Sequence, residues 1–193
     1  GTFLLNQAMG GGKTHNMIAL GLLAKHPEFR DEVLEGYHDP NLGKVRVAAF
    51  TGRESDAPLG IWGSIADQIG KKQQFSDYYQ PLSPPGQTAW VNLLKGEPLL
   101  ILLDELPPYL NQARAKEIGN ADLATVTTTA LANLLVAVGR PELENVCVVI
   151  SDLEATYGEG SQQIGLALHD LKNEANRGAL ELEPVQQNTN EIY

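Results

Sequence analysis

Apolar positions along this 193-residue chain fall into short continuous runs, separated by longer stretches with a helical period. The run Leu99–Leu103 is typical of a parallel strand that is covered on both faces. Similar patterns predict strands over 3–6, 44–50, 99–103, 145–150 and 179–184, and helices over 13–25, 61–69, 87–94, 122–138 and 161–177. A shorter helix is expected over 27–34. This alternation predicts an α/β fold with a mostly parallel central sheet of about five strands flanked by helices.

Three regions carry more specific expectations. Apolar residues cover most of the circumference of the 13–25 helix, so we expect it to be buried on more than one side. The helical insertion at about 53–97 is a candidate lid or partner surface, and its aromatic residues either stack an adenine ring or, more commonly for such residues, fill a core. The segment 106–110 reads as a stiff exit from a strand, followed by a polar linker around 112–120.

Composition narrows the class of protein. The chain is 42% hydrophobic and 20% charged, as in ordinary globular domains, and its net charge is −10. Beyond the pair Lys71-Lys72 the sequence shows no Lys/Arg cluster, which disfavours direct nucleic-acid binding. No apolar run is long enough to span a bilayer, no signal-peptide pattern occurs, and the lone Cys147 suits a reducing cytoplasm. Because almost nothing precedes the first strand, we expect the chain to be a piece of a larger protein.

The stretch from Met9 to His15 has the chemistry of a phosphate-binding loop, Gly10-Gly11-Gly12-Lys13-Thr14 between a strand and a helix. Glycines let backbone N–H groups point into one concavity, and the following helix adds its positive N-terminal end. A lysine here reaches the outer phosphates of ATP, and a threonine hydroxyl is placed to ligate Mg²⁺. Gln7 stands where the usual motif has its first glycine, and the alternative is a glycine-rich turn with an incidental Lys-Thr.

Two consecutive carboxylates, Asp104 and Glu105, end the most apolar strand. Carboxylates beside such a run are costly unless they have a function. In a nucleotide hydrolase Asp104 would support Mg²⁺, and Glu105 would orient and deprotonate the attacking water.

Polar residues also end two other strands. Thr51 either faces the same crevice as the loop or simply ends its strand. Ser151 is a candidate contact to the γ-phosphate or the attacking water, with a plain strand terminus as the alternative.

The order of these motifs resembles the AAA+ branch of P-loop ATPases, a three-layer ASCE fold. More narrowly, residues 7–15, 102–110 and 145–152 are similar to a family of large prokaryotic ATPases of unknown function. Members of that family are encoded in phage-defence islands beside DNA methyltransferases and are related to the ATPases of BREX-type systems. The resemblance implies an ATP-binding and ATP-hydrolysing module that lies in the cytoplasm and does not associate with a membrane. This module would form a homo-oligomer within a larger defence complex.

The resemblance also assigns residues. It implies phosphate and Mg²⁺ binding by Gly12, Lys13 and Thr14, and a sensor role for Ser151. Arg177, at the end of the helix before the last strand, would either reach a neighbouring subunit's γ-phosphate or be a cation favourably placed at a helix C-terminus. The ATPase core would span 1–185, and the tail 186–193 would lead to a lid or a further domain. The rival function is a nucleotide-sensing scaffold that binds ATP with little or no hydrolysis.

Overall fold

The structure, a computed structural model, describes residues 1–5, 12–53, 56–151, 173 and 179–182. The strands in chain order are β1 (Thr2–Leu5), β2 (Arg46–Thr51), β3 (Leu99–Asp104), β4 (Glu117–Ile118), β5 (Ala121–Asp122), β6 (Val146–Ser151) and β7 (Ala179–Leu182). Five of them form one sheet in the order β2-β3-β6-β1-β7, and every neighbouring pair is parallel. The predicted α/β architecture with a parallel sheet is therefore confirmed for the described residues.

The helices are α1 (Lys13–Lys25), α2 (Arg30–Leu34), α3 (Gly60–Gln68), α4 (Gln87–Leu94), α5 (Leu106–Ala113) and α6 (Leu123–Val138), with 3-10 turns at Pro27–Phe29, Lys72–Tyr78 and Pro141–Leu143. Asp122 caps α6 by accepting a hydrogen bond from the Thr125 N–H at 2.7 Å, and Gly139 ends this helix. Of the predicted 161–177 helix only Asn173 is described, and it is helical. No helix in the described ranges is long and apolar enough to cross a membrane.

Alternate side chains of the strands face two separate cores. Ile101 and Leu103 on β3 pack, together with α3, α4, α5 and α6, into the larger core on one face of the sheet. Leu100 and Leu102 face the other way and form a smaller core with Met17 of α1. Helices on both faces of the sheet make three layers, and both faces of β3 are buried, as its apolar run predicts.

The segment between β2 and β3 is part of the larger core. Trp62 and Trp90 are fully buried there, and their indole N–H groups donate to the carbonyls of Tyr78 and Ala130 at 3.2 and 3.0 Å. The explanation of these aromatic residues as core is therefore confirmed, and the candidate role of this segment as a lid is not supported.

Two expectations are wrong. Helix α1 is buried only at Met17 and Gly21, while Ile18 and Leu22 are 55% and 54% exposed. Met17 is the buried side chain that α1 contributes to the smaller core. One face of α1 therefore packs on the sheet, while Ile18 and Leu22 lie on its exposed sides.

The second wrong expectation concerns the stiff exit over 106–110 and the polar linker around 112–120. These residues instead form α5, followed by the β4–β5 hairpin. Pro107 and Pro108 lie in the first turn of α5, where backbone N–H groups have no helical acceptor and proline is tolerated.

Candidate functional site

The carboxyl ends of the parallel strands bring the predicted polar residues to one edge of the sheet. Thr51 is in register with Asp104, and Leu5, the last residue of β1, is in register with Ser151. Strand β6 lies between β3 and β1, so Ser151 lies between the acidic strand and the strand that leads toward the glycine loop.

Asp104 is the centre of the site. The Thr14 hydroxyl donates to Asp104 Oδ2 at 2.7 Å, and the Ser151 hydroxyl donates a short hydrogen bond to Asp104 Oδ1. Ser151 is fully buried and Asp104 is 9% exposed, so this carboxylate exchanges water for two hydroxyl donors. Residues from α1, β3 and β6, predicted separately from the sequence, are thus in direct contact.

Glu105 follows Asp104 in a left-handed conformation, with φ 53°, at the N-cap of α5. Its carboxylate accepts a hydrogen bond from Arg53 Nε at 2.7 Å, and the side chains of Arg53 and Glu105 are 53% and 29% exposed. Arg53 was not predicted as a site residue, because only the pairing of β2 with β3 brings it beside Glu105.

Gly52 holds these two strand ends together. Its N–H donates to the Asp104 carbonyl at 2.9 Å, and a Cβ at this position would lie 2.0 Å from the Glu105 carbonyl oxygen. No side chain fits in that gap, so glycine is required for the approach of β2 to the turn at Glu105.

A cavity of about 650 Å³ extends along α1 from Thr14 to Lys25. Thr14, Thr51, Asp104 and Glu105 line it together, and apolar side chains of α1, β2 and β3 line the remainder. Thr51 therefore faces the same cavity as Thr14, whereas residues 9–11 of the glycine loop lie outside the described residues. The volume lies within the range of small-molecule sites.

The start of α1 is described from Gly12 onward. Gly12 has a left-handed backbone with φ 76° and accepts the first helical hydrogen bond, from the Asn16 N–H at 2.9 Å. Lys13 is the first residue of the helix, and the His15 side chain is exposed. The predicted site residues Met9, Gly10, Gly11 and Arg177 lie outside the described residues.

The donor set around Asp104 suits a hard cation. No group of three or more His, Cys, Asp or Glu side chains able to hold a metal occurs in the described part of the chain. Thr14 and Asp104 nevertheless offer a hydroxyl and a carboxylate oxygen in direct contact. Mg²⁺ uses few protein oxygens and keeps several waters, so these two side chains fit it.

Folding also gathers cations that are scattered in the sequence, where the only Lys/Arg cluster is the pair Lys71-Lys72. Two adjoining cavities at the amino ends of β2 and β3 share Arg46 and Glu97 and are lined in addition by Lys25, Lys44, Lys71 and Lys95. Lys71 Nζ donates to the Leu93 carbonyl at the end of α4 at 2.6 Å. Cations near helix C-termini interact favourably with the helix dipole, so Lys71 stabilises the end of α4.

Comparison with curated proteins and with solved structures found no match in either case. Comparison with protein families found one, the DUF499 N-terminal domain, over residues 54–179. This range includes β3, Glu105 and Ser151, and begins after Arg53. Because the match covers well over half of the chain, this protein belongs to the DUF499 N-terminal domain family.

Proposed function

We propose that this chain is an ATP-binding and ATP-hydrolysing module with an AAA+-like P-loop fold. The observation that carries the proposal is the 2.7 Å hydrogen bond between Thr14 and Asp104, which are 90 residues apart in sequence. In a P-loop NTPase these are the two side chains that share Mg²⁺. An incidental Lys-Thr after a glycine-rich turn would not be expected to meet the acidic end of another strand.

The order of the strands supports the same assignment. Strand β6 separates β1 from the acidic strand β3, and its terminal Ser151 contacts Asp104. This agrees with the sensor role that the resemblance to AAA+ ATPases implies for Ser151. A polar side chain in that position is suited to register the presence of the γ-phosphate or the attacking water.

In the proposed reaction Lys13 and the backbone of the glycine loop bind the phosphates. Thr14 and Asp104 would hold Mg²⁺, which would supply positive charge beside the phosphates. Glu105 accepts a proton from water as the water oxygen attacks the γ-phosphorus. The bond between the γ-phosphorus and the bridging oxygen breaks, and ADP leaves. Most of the rate enhancement would come from positioning and charge stabilisation.

The wider context follows the resemblance to large ATPases of phage-defence islands. There the module would act in the cytoplasm, within a homo-oligomer, beside partners such as a DNA methyltransferase. Arg177 would supply an arginine finger to a neighbouring subunit, and this acidic chain would not bind nucleic acid directly. Residues 1–185 would form the ATPase core.

A nucleotide-sensing scaffold that binds ATP without appreciable hydrolysis is the second candidate. The ion pair between Arg53 and Glu105 favours it, because the guanidinium occupies a carboxylate oxygen that would otherwise accept a hydrogen bond from the attacking water. In this function the binding of ATP, without its hydrolysis, would change the contacts among the residues at the carboxyl ends of the strands.

Phosphate release by the 193-residue chain and its Glu105→Gln variant separates the two functions. If the chain is a hydrolase, we expect turnover to fall at least about 100-fold in Glu105→Gln while Mg²⁺-ATP still binds. Glu97→Gln is the matched control, since Glu97 also pairs with an arginine, Arg46, which lies at the opposite, amino end of β2. ATP binding with no phosphate release above background would favour the scaffold, and equal turnover in wild type and Glu105→Gln would remove Glu105 from its role.

A further inference from the structure

The arginine beside the proposed water-activating glutamate has no role in the function proposed so far. Arg53 lies two residues after Thr51, which ends β2 and lines the cavity. The Nε of Arg53 donates to the Glu105 carboxylate at 2.7 Å. Arg53 thus forms an ion pair with the proposed water-activating carboxylate. Its counterpart at the other end of β2, Arg46, pairs with Glu97 at 3.4 Å, far from the site.

We infer that Arg53 is a catalytic residue that binds the γ-phosphate of ATP within the same chain, exchanging the Glu105 carboxylate for γ-phosphate oxygens when ATP binds. The inference rests on the proposed function, because it needs a triphosphate bound between Thr14 and Glu105.

The positions of the two backbones favour a movement of the side chain alone. Gly52 is tied to Asp104 by its N–H, so the backbone on which Arg53 stands is fixed at the edge of the site. The Arg53 side chain is 53% exposed, which means that a change of rotamer loses little packing. Glu105 is held by its place at the start of α5, so the arginine, with its longer side chain, is the mobile partner.

Charge decides the direction of the exchange. A γ-phosphate carries more negative charge than one carboxylate, and its oxygens match the fork of a guanidinium in a bidentate contact. An ion pair between partly exposed side chains is weak, so it is readily broken in favour of the phosphate. ADP has no γ-phosphate, and with ADP bound the pair between Arg53 and Glu105 would persist.

The exchange has two consequences for the reaction. The guanidinium would stabilise the negative charge that develops on the transferred phosphoryl group. The Glu105 oxygen that now accepts a hydrogen bond from Arg53 Nε would become accessible to the attacking water. One residue would therefore couple binding of the γ-phosphate to the positioning of the water.

The test measures dissociation constants for ADP and for a non-hydrolysable ATP analogue, each with Mg²⁺, at fixed ionic strength. In Arg53→Ala the affinity for the ATP analogue should fall by about tenfold while the affinity for ADP stays within about twofold. Turnover of ATP should fall as well, and Arg53→Lys should recover part of both losses because it restores the charge. Arg46→Ala, a change of the same type at the other end of β2, should leave both affinities unchanged.

Other outcomes overturn the inference in distinguishable ways. In Arg53→Ala, an unchanged ratio of the affinities for the ATP analogue and for ADP, together with faster turnover, would mean that Arg53 only restrains Glu105. An unchanged ratio with equal or slower turnover would mean that Arg53 does not bind the γ-phosphate. Failure of the wild-type chain to bind either nucleotide would overturn the proposed function along with the inference. Thermal unfolding of Arg53→Ala and Arg53→Gln checks that both variants are folded. The same change in the affinity ratio in both variants would show that the change comes from the loss of the guanidinium and not from misfolding of one variant.

Discussion

The hydroxyl of Thr14 donates a hydrogen bond to Asp104 Oδ2 at 2.7 Å, joining the first turn of α1 to the end of β3. This contact connects the two sequence motifs on which the proposed function depends. The same Asp104 carboxylate accepts the Ser151 hydroxyl, so three elements of the fold meet at one charged group.

Replacing Thr14 with valine keeps the shape of the side chain and removes its oxygen. The proposed metal site then loses a ligand, and the affinity for Mg²⁺-ATP should fall by roughly tenfold or more. The free energy of unfolding should also fall, by about 1 kcal/mol, because the buried Asp104 carboxylate loses one of its two hydroxyl donors. Thr88→Val is the matched control, since Thr88 is also the exposed second residue of a helix. Isothermal titration calorimetry would measure both affinities, and equal binding by the two variants would contradict the assignment of Thr14.

The buried hydroxyl of Ser151 should contribute to stability as well as to the site. Ser151→Ala leaves Asp104 with one donor fewer at a buried position, and the free energy of unfolding should fall by about 1.5–3 kcal/mol. Urea denaturation near pH 7 would measure it, with the exposed Ser76→Ala as a control. A loss below about 0.5 kcal/mol, equal to that of the control, would show that this hydrogen bond is not a significant part of the fold.

Gly52 is predicted to tolerate no side chain. In Gly52→Ala the new Cβ would overlap the Glu105 carbonyl oxygen, so β2 and the turn at Glu105 must separate. We expect a loss of roughly 1–3 kcal/mol in unfolding free energy and at least about tenfold in ATP turnover. Gly43→Ala adds a Cβ in open space within a loop and should change neither quantity. Wild-type turnover in Gly52→Ala would mean that the spacing of the strand ends is not needed for the reaction.

Tyr109 should make stability depend on alkaline pH. Burial raises the pKa of the Tyr109 phenol above 10.0, and the nearby Thr127 hydroxyl reduces this effect. The two hydroxyls do not form a hydrogen bond with each other, and neither has a hydrogen-bond partner among the described residues. A phenol whose pKa is raised in the folded state favours folding below pH 10, and that contribution is lost as pH rises through 10 toward the folded pKa.

Tyr109→Phe removes this group and a buried hydroxyl that has no described partner. Its unfolding free energy should therefore equal or exceed that of wild type at pH 8, and should decline less between pH 9 and 11. Urea denaturation across this range would measure both declines. Parallel declines in wild type and Tyr109→Phe would contradict the role given to Tyr109.

The sequence was sufficient to locate the residues that end apolar runs. Asp104 and Ser151 each follow a continuous stretch of large apolar residues, and burial of both faces of a strand is read directly from such a stretch. Helix α6 was equally clear, since Asp122 and Gly139 mark its two ends. Local patterns determine these features, so no knowledge of the tertiary structure was needed.

Arg53 and Gly52 could not be found in the same way. Their role depends on β2 lying next to β3, and the order of strands in a sheet is a property of the whole fold. Similarly, which sides of α1 are exposed depends on how the helix packs in the whole fold, and the apolar content of the helix does not reveal this. The first turn of α5 was missed because two prolines obscured a helix that they in fact begin.

The most direct test of the central claim is the dependence of ATP binding on Mg²⁺, measured by calorimetry on the Glu105→Gln chain so that no ATP is consumed. The account predicts tight binding with Mg²⁺, weaker binding with EDTA, and loss of the difference in an Asp104→Asn variant of the same chain. ATP binding that is the same with and without Mg²⁺, or no binding at all, would contradict the claim that Thr14 and Asp104 form a nucleotide site.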